Sequence, residues 1–367
     1  MPWSYGLRAF GAGAAAVAMV AVSAGPAAAD SNRDRQWYLS TLEVAKAQRI
    51  STGAGVTVAV IDTGVAAKHR DLAGAVLPGE DLYIYKAGDG TGRTDLDGHG
   101  TGMAGVIAGR GHGHGDGILG LAPKAKILPI RVVNNSFIMS GEIAKAIDYA
   151  VAHHAGVVNM SFVMGADTPV LDAIKKAQAA DIVLVAGAGN RDAPGGGRYP
   201  GAYPEVLTVG AVGRNGKIAS LSVTGPQVDL VAPGVGIAST GINASGYTLG
   251  TGTSDATAIV SGAAALIRAK YPELTAAEVV HRLTATATDA GPKGRDDTYG
   301  YGRLNLVKAL TADVPAATTA PSHEVAAPSA TTPPGEPSRN VIILLAVILV
   351  FVLIAGVLVF ALVRRRR

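Results

Sequence analysis

The chain has 367 residues, 48 glycines, 48% hydrophobic residues and no cysteine. The missing cysteine excludes disulfides, thiol nucleophiles and cysteine–zinc sites, and the length suits one large domain with appendages or two small ones. The formal charge of +4 comes from the last four residues, Arg364 to Arg367; without them and Arg8, Asp30 to Val363 stands at −1, so no basic field recommends nucleic acid as a partner.

Residues 1–29 read as a secretory leader. Arg8 is the only charge, an alanine-rich apolar run follows, and Ala27-Ala28-Ala29 forms an A-x-A cleavage site before Asp30. The alternative is an uncleaved anchor, but the run is short and glycine-interrupted for a span of about 20 residues. Residues 30–54 read as an arm, with Trp37, Tyr38 and Leu39 ahead of a helix-like Leu42 to Ile50. A single domain is expected over 55–312. It opens with G-V-T-V-A-V-I-D, a continuous apolar run typical of a parallel strand buried on both faces. Asp62 closes that run, either as a site residue at a strand's carboxyl end or as a turn-former.

His99 begins an apolar helix-like stretch inside D-G-H-G-T-G. His112 and His114 sit in a glycine-rich loop with no third metal ligand evident nearby. Strands are expected at Ile127–Val133, Val157–Phe162, Ile182–Ala186, Val206–Val212 and Val228–Val231. Helices are expected at Met139–Ala155, at Pro169–Ala180, and at Thr275–Thr286 with Thr275 and Glu278 at capping-box spacing. Asn190, after Gly187-Ala188-Gly189, is a turn residue or an amide donor. Gly250 to Leu266 is a glycine-rich loop running into an alanine-rich helix, with Ser254 at the junction as N-cap or nucleophile. Alternating strands and helices imply an α/β fold with a mainly parallel sheet covered on both faces. Residues 313–339, rich in proline, alanine and threonine, are a linker. Residues 340–363 are an apolar run long enough to span a bilayer, and 364–367 are a basic tail that positive-inside places in the cytoplasm.

Asp62, His99 and Ser254 follow one another in the subtilisin order of a serine triad. The segments V-A-V-I-D-T-G-V, D-G-H-G-T-G-M-A-G, V-A-G-A-G-N and G-T-S-D-A-T-A strengthen the match, and the chain resembles the subtilisin-like proteases over about Gly55 to Leu310. The Q-W-Y-L-S-T-L arm, the short gap before the first strand and the leader–domain–linker–membrane–arginine layout resemble, more closely, the mycosins, membrane-anchored subtilases associated with type VII secretion. The resemblance implies the three-layer subtilisin fold. It implies Asp62, His99 and Ser254 as the triad, Asn190 as oxyanion donor, and Ser161, Phe162, Val163, Ala188 and Gly189 as substrate-binding residues. It also implies a polypeptide substrate, a type VII secretion membrane complex as partner, and a single-pass membrane location with the catalytic domain extracytoplasmic. Arg191 is placed to reach the pocket rim. Asp71 matches a calcium ligand of some subtilases, but the six to eight oxygens that calcium needs cannot be assembled from the sequence. No metal and no cofactor is assigned. Ala258 stands where subtilases usually carry proline, and the helix is expected to survive because alanine is the best helix former. Two rival classes are a subtilase-shaped brace of a secretion complex and a carbohydrate-binding wall protein; the second leaves the triad unexplained.

Overall fold

A computed structural model describes residues 31–83, 88–113, 115–134, 137–138, 140–191 and 197–315. The leader, most of the linker, the apolar run at 340–363 and the terminal arginines lie outside these residues. Among the described residues no helix is long and apolar enough to cross a membrane.

Seven strands form one sheet: β1 (Thr57–Asp62), β2 (Glu80–Asp81), β3 (Lys126–Arg131), β4 (Val157–Met160), β5 (Val183–Gly187), β6 (Leu207–Val212) and β7 (Leu230–Pro233). Their order is β7-β6-β5-β4-β1-β3-β2, and every pairing is parallel. Parallel neighbours need long crossovers, and helices supply them on both faces. α1 (His99–Ala108) and α4 (Thr253–Lys270) cover one face; α2 (Ser140–Ala152) and α3 (Thr168–Ala179) cover the other. Side-chain alternation in β1 divides the core: Val58 and Val60 pack with α1 and α4, Ala59 and Ile61 with α2 and α3. Each such fully buried valine or isoleucine contributes about 1.5–3 kcal/mol.

α4 is the central helix. Every residue from Asp255 to Ile267 is buried, so its small side chains serve neighbours all round rather than along one stripe. It runs unbroken through Ala258, as expected, and ends at Tyr271 ahead of Pro272, where the residue before proline avoids helical geometry. α5 (Ala276–Ala285) starts with the expected capping box: Thr275 accepts from the Glu278 amide and the Glu278 carboxylate accepts from the Thr275 amide. α6 (Leu306–Thr311) closes the domain.

Several expectations are corrected. The arm is not one helix over Leu42–Ile50. It comprises Ser31–Arg35, Tyr38–Thr41 and Val44–Gln48, and Glu43 breaks it with a left-handed φ of 49°. β2 and the antiparallel hairpin Val235–Thr240/Tyr247–Thr251 were not expected. β2 is two residues long, held by the buried Asp81 carboxylate accepting from Arg131 at 2.8 Å. β3 stops at Arg131, and Val133 pairs with Ile138 in a separate small ribbon. β4 stops at Met160, short of Phe162, because its ladder to Ile61 and Ala186 ends there. β7 is shifted to Leu230–Pro233.

Candidate active site

The carboxyl end of β1 delivers Asp62, 2% exposed, to the edge of the sheet. Its Oδ1 accepts from the Thr63 amide at 2.8 Å and faces His99 Nδ1 at 2.8 Å; its Oδ2 has no partner among the described residues. His99 is brought there by the start of α1. Gly98, at φ 101°, turns the chain into the helix, a conformation glycine adopts without strain. Asp95 anchors that turn: its carboxylate accepts from the amides of Gly98 and Thr101 and from the Thr101 hydroxyl. Gly100 is needed for closeness, because a Cβ there would collide with the Gly64 carbonyl oxygen.

The charge state of His99 reflects two opposed effects. Burial pulls the imidazole down, but Asp62, by charge and by hydrogen bond, with Asp255 and Asp97 beyond it, pushes its pKa up to about 9. The ring is still 38% exposed toward the cleft.

Ser254 is the second residue of α4. The cap residue is Gly252, which has no side chain to cap the helix with, so Ser254 is not an N-cap. Its hydroxyl donates to the Ser161 carbonyl at 3.1 Å, and the Ser161 hydroxyl donates back to the Ser254 carbonyl at 3.1 Å. A buried chain continues from there: Asn159 Nδ2 donates to Ser161 Oγ, and Ser261 Oγ donates to Asn159 Oδ1, both at 3.0 Å. These bonds tie the end of β4 to the first turns of α4. Handing the Ser254 proton to His99 requires the hydroxyl to turn away from Ser161, a rotation open to any serine.

Asn190 lies past the end of β5. Its Oδ1 accepts from the Thr253 amide at 3.0 Å and from the Thr253 hydroxyl at 3.2 Å, which leaves Nδ2 as the outward group. The first-turn amides of α4 have no preceding helical acceptor. A cleft of ≈ 350 Å³ is lined by Asp62, His99, Ser161, Phe162, Val163, Gly187, Gly189, Asn190 and Ser254. The structure thus brings together all four proposed catalytic residues and four of the five substrate-binding ones. Ala188 is the exception: its side chain packs with Val212, Val228 and Val231 in a small core, so the wall there is made by Gly187 and Gly189. Arg191 leans on the Thr224 hydroxyl at 3.5 Å and does not line the cleft.

Asp71 is used structurally. Its Oδ1 pairs with His112 Nδ1 at 2.6 Å and its Oδ2 accepts from the Ile118 amide at 2.8 Å. His114 lies outside the described residues, and among those described no group of three or more potential ligands gathers for a metal. Sequence reasoning missed Asp95, Asn159, Ser261 and Asp255. Only Asp95 had a usable signal, as the first aspartate of D-L-D-G before a helix start.

The family model for the subtilase family matches residues 53–302. The chain belongs to the subtilase family. It is 40% identical to subtilisin DY of Bacillus licheniformis over 68% of this chain and 88% of the relative. It is 35% identical to Mycosin-1 of Mycobacterium tuberculosis (strain ATCC 25618 / H37Rv) over 86% of this chain and 82% of the relative. A solved structure of the serine protease MycP1, described as an essential component of the type VII (ESX-1) secretion system, superposes with a TM-score of 0.67 at 35% identity, over 77% of this chain and 90% of that one. The protein is therefore a mycosin-type subtilase and a serine endopeptidase, with the α/β subtilisin-like architecture.

Proposed function

We propose that this subtilase is an extracytoplasmic, membrane-anchored endopeptidase working with a type VII secretion assembly, with Asp62, His99 and Ser254 as its triad. The observation that carries the chemistry is the 2.8 Å contact between His99 Nδ1 and Asp62 Oδ1 at one cleft with Ser254 and Asn190. Asp62 holds the proton on Nδ1, so Nε2 is the basic nitrogen. His99 takes the Ser254 proton as Oγ attacks the substrate carbonyl, and Asn190 Nδ2 with the Ser254 amide receives the oxyanion. His99 then protonates the departing amine. Water, deprotonated in turn by His99, releases the acyl group. The substrate lies extended along Ser161, Phe162 and Val163, beyond the last ladder pair of β4.

The cellular setting draws on other observations. The leader-like residues 1–29 and the apolar run at 340–363 before four arginines support a domain held outside the membrane. The likeness to MycP1 supports the secretion partner. The same likeness favours a second reading, in which the domain also braces the assembly, because its presence would then matter apart from hydrolysis.

Ser254→Ala separates the two. The hydroxyl caps nothing, so unfolding midpoints should shift little, while peptide hydrolysis falls by several orders of magnitude and His99→Ala on top adds little more. Secretion should survive Ser254→Ala and fail on deletion of the domain. Full peptidase activity in the purified variant would remove the catalytic assignment; lost secretion at normal protein levels would remove the brace.

A further inference from the structure

Two clefts meet at Ser254. The first takes in Phe162, Val163 and Gly189; a second, of ≈ 390 Å³, takes in Met103, Ser239, Ile242, Thr248 and Asp255. Only Asp97, His99, Asn190 and Ser254 line both. A peptide attacked at Ser254 must place its two halves on opposite sides of that seam. If the first cleft holds the acyl half, the second holds the half that departs with the new amine; this step rests on the catalytic reading above.

The second cleft has a definite chemistry. Its titratable lining side chains are Asp97, His99 and Asp255, and among the described residues no lysine or arginine lines it. Asp255 is 3% exposed, and its Oδ1 has no hydrogen-bond partner among the described residues. The Gly250 backbone lies so close that a Cβ there would run into the Asp255 carboxylate. A buried carboxylate with an unpaired oxygen is costly in its ionised form. Burial accordingly pushes Asp255 up to about 7, against the downward pull of the His99 charge. Above that pH Asp255 is an anion shared between His99 and any cation that a substrate brings. Met103 and the exposed Ile242 supply apolar side chains to the lining. Apolar side chains beside an acidic floor match a long aliphatic stem ending in a cation, the shape of lysine and arginine.

We propose that the second cleft is a leaving-side subsite selective for lysine or arginine, with Asp255 as its specificity-determining residue. The full-length chain, in detergent at pH 8, is given peptides that differ only in the first residue of the leaving half: lysine, norleucine or glutamate. The kcat/KM for lysine should exceed that for norleucine by about tenfold, with glutamate lowest, because like charge repels and opposite charge attracts in a desolvated site. In Asp255→Asn the lysine-to-norleucine ratio should fall to near one. A ratio near one in the unaltered protein, or one undiminished in Asp255→Asn, would overturn the proposal. Binding of the same peptides to Ser254→Ala reads the selection without turnover: lysine should bind about tenfold tighter than glutamate, and Ser254→Ala/Asp255→Asn should lose the difference. Selective binding with no cleavage of any peptide would defeat the catalytic reading alone. Absence of selection in both assays would defeat this one.

Discussion

Asn190 has two separable jobs, one for each end of its amide. Its Oδ1 satisfies the Thr253 amide at the start of α4, and its Nδ2 is the proposed oxyanion donor. Asn190→Ala removes both. Turnover should fall by about 10² to 10³, the size known for the oxyanion asparagine of subtilisin and carried over by likeness. The Thr253 amide left unpaired should cost a further ~1–3 kcal/mol of stability. Asn190→Asp keeps the acceptor and removes the donor, so activity should drop at least as far while the unfolding midpoint stays nearer that of the unaltered protein. Calorimetry and peptide kinetics on the pair check this; equal destabilisation in both variants would contradict the division. As the proposed base, His99 should carry the pH dependence. Its pKa is raised, so the neutral base forms only as pH rises, and kcat/KM should climb along a limb displaced upward from 6.5 toward about 9. Asp255→Asn removes one of the charges that raise it, so the limb should move to lower pH. A limb that stays in place would show that Asp255 does not act on the base.

At the scale of elements, the arm is a structural part of the domain. Gln36 acts as a strand substitute: its Nε2 donates to the Leu119 carbonyl at 2.8 Å and its Oε1 accepts from the Leu119 amide at 2.9 Å. Trp37, 8% exposed, donates to the Val235 carbonyl at 3.1 Å and lies under the Arg214 guanidinium. Trp37→Ala should cost about 3–5 kcal/mol, read as a lowered thermal midpoint, and purified protein should retain Gln36 at its amino end. A dominant start beyond Val44 with unchanged stability would show the arm to be dispensable. The main strands were legible in the sequence because strands buried on both faces must be apolar throughout, as in Val58 to Ile61. β2 was not legible, since two residues have no period and Asp81 is held by a partner 50 positions away. The hairpin over Val235–Thr251 lacked a pattern because its second strand is largely exposed. The order and motifs of Asp62, His99, Asn190 and Ser254 pointed to the candidate site, the cleft that they share, whereas Asn159 and Ser261 carried no such signal. Neutral polar residues inside apolar runs give no hint of partners 102 residues apart.

For the whole molecule, the expected layout makes a topological prediction. Protease added to intact cells should release the domain by cutting within 313–339, leaving the 340–363 segment behind; protection of the full chain until the membrane is lysed would contradict an outward-facing domain. Gln36 bonds to a residue 83 positions on, and Trp37 and Tyr38 bond to residues 198 and 200 positions on. The first part of the domain to be synthesised therefore seats on some of the later parts. Contacts of such long range place closure at the end of folding and slow it, since the entropy of a large loop must be overcome before they form. A chain emerging amino end first must keep Trp37 and Tyr38 waiting, apolar and uncovered, until Val235 to Ala238 have arrived. During that interval the growing chain is open to association with itself, a hazard shared by large domains with non-local sheets.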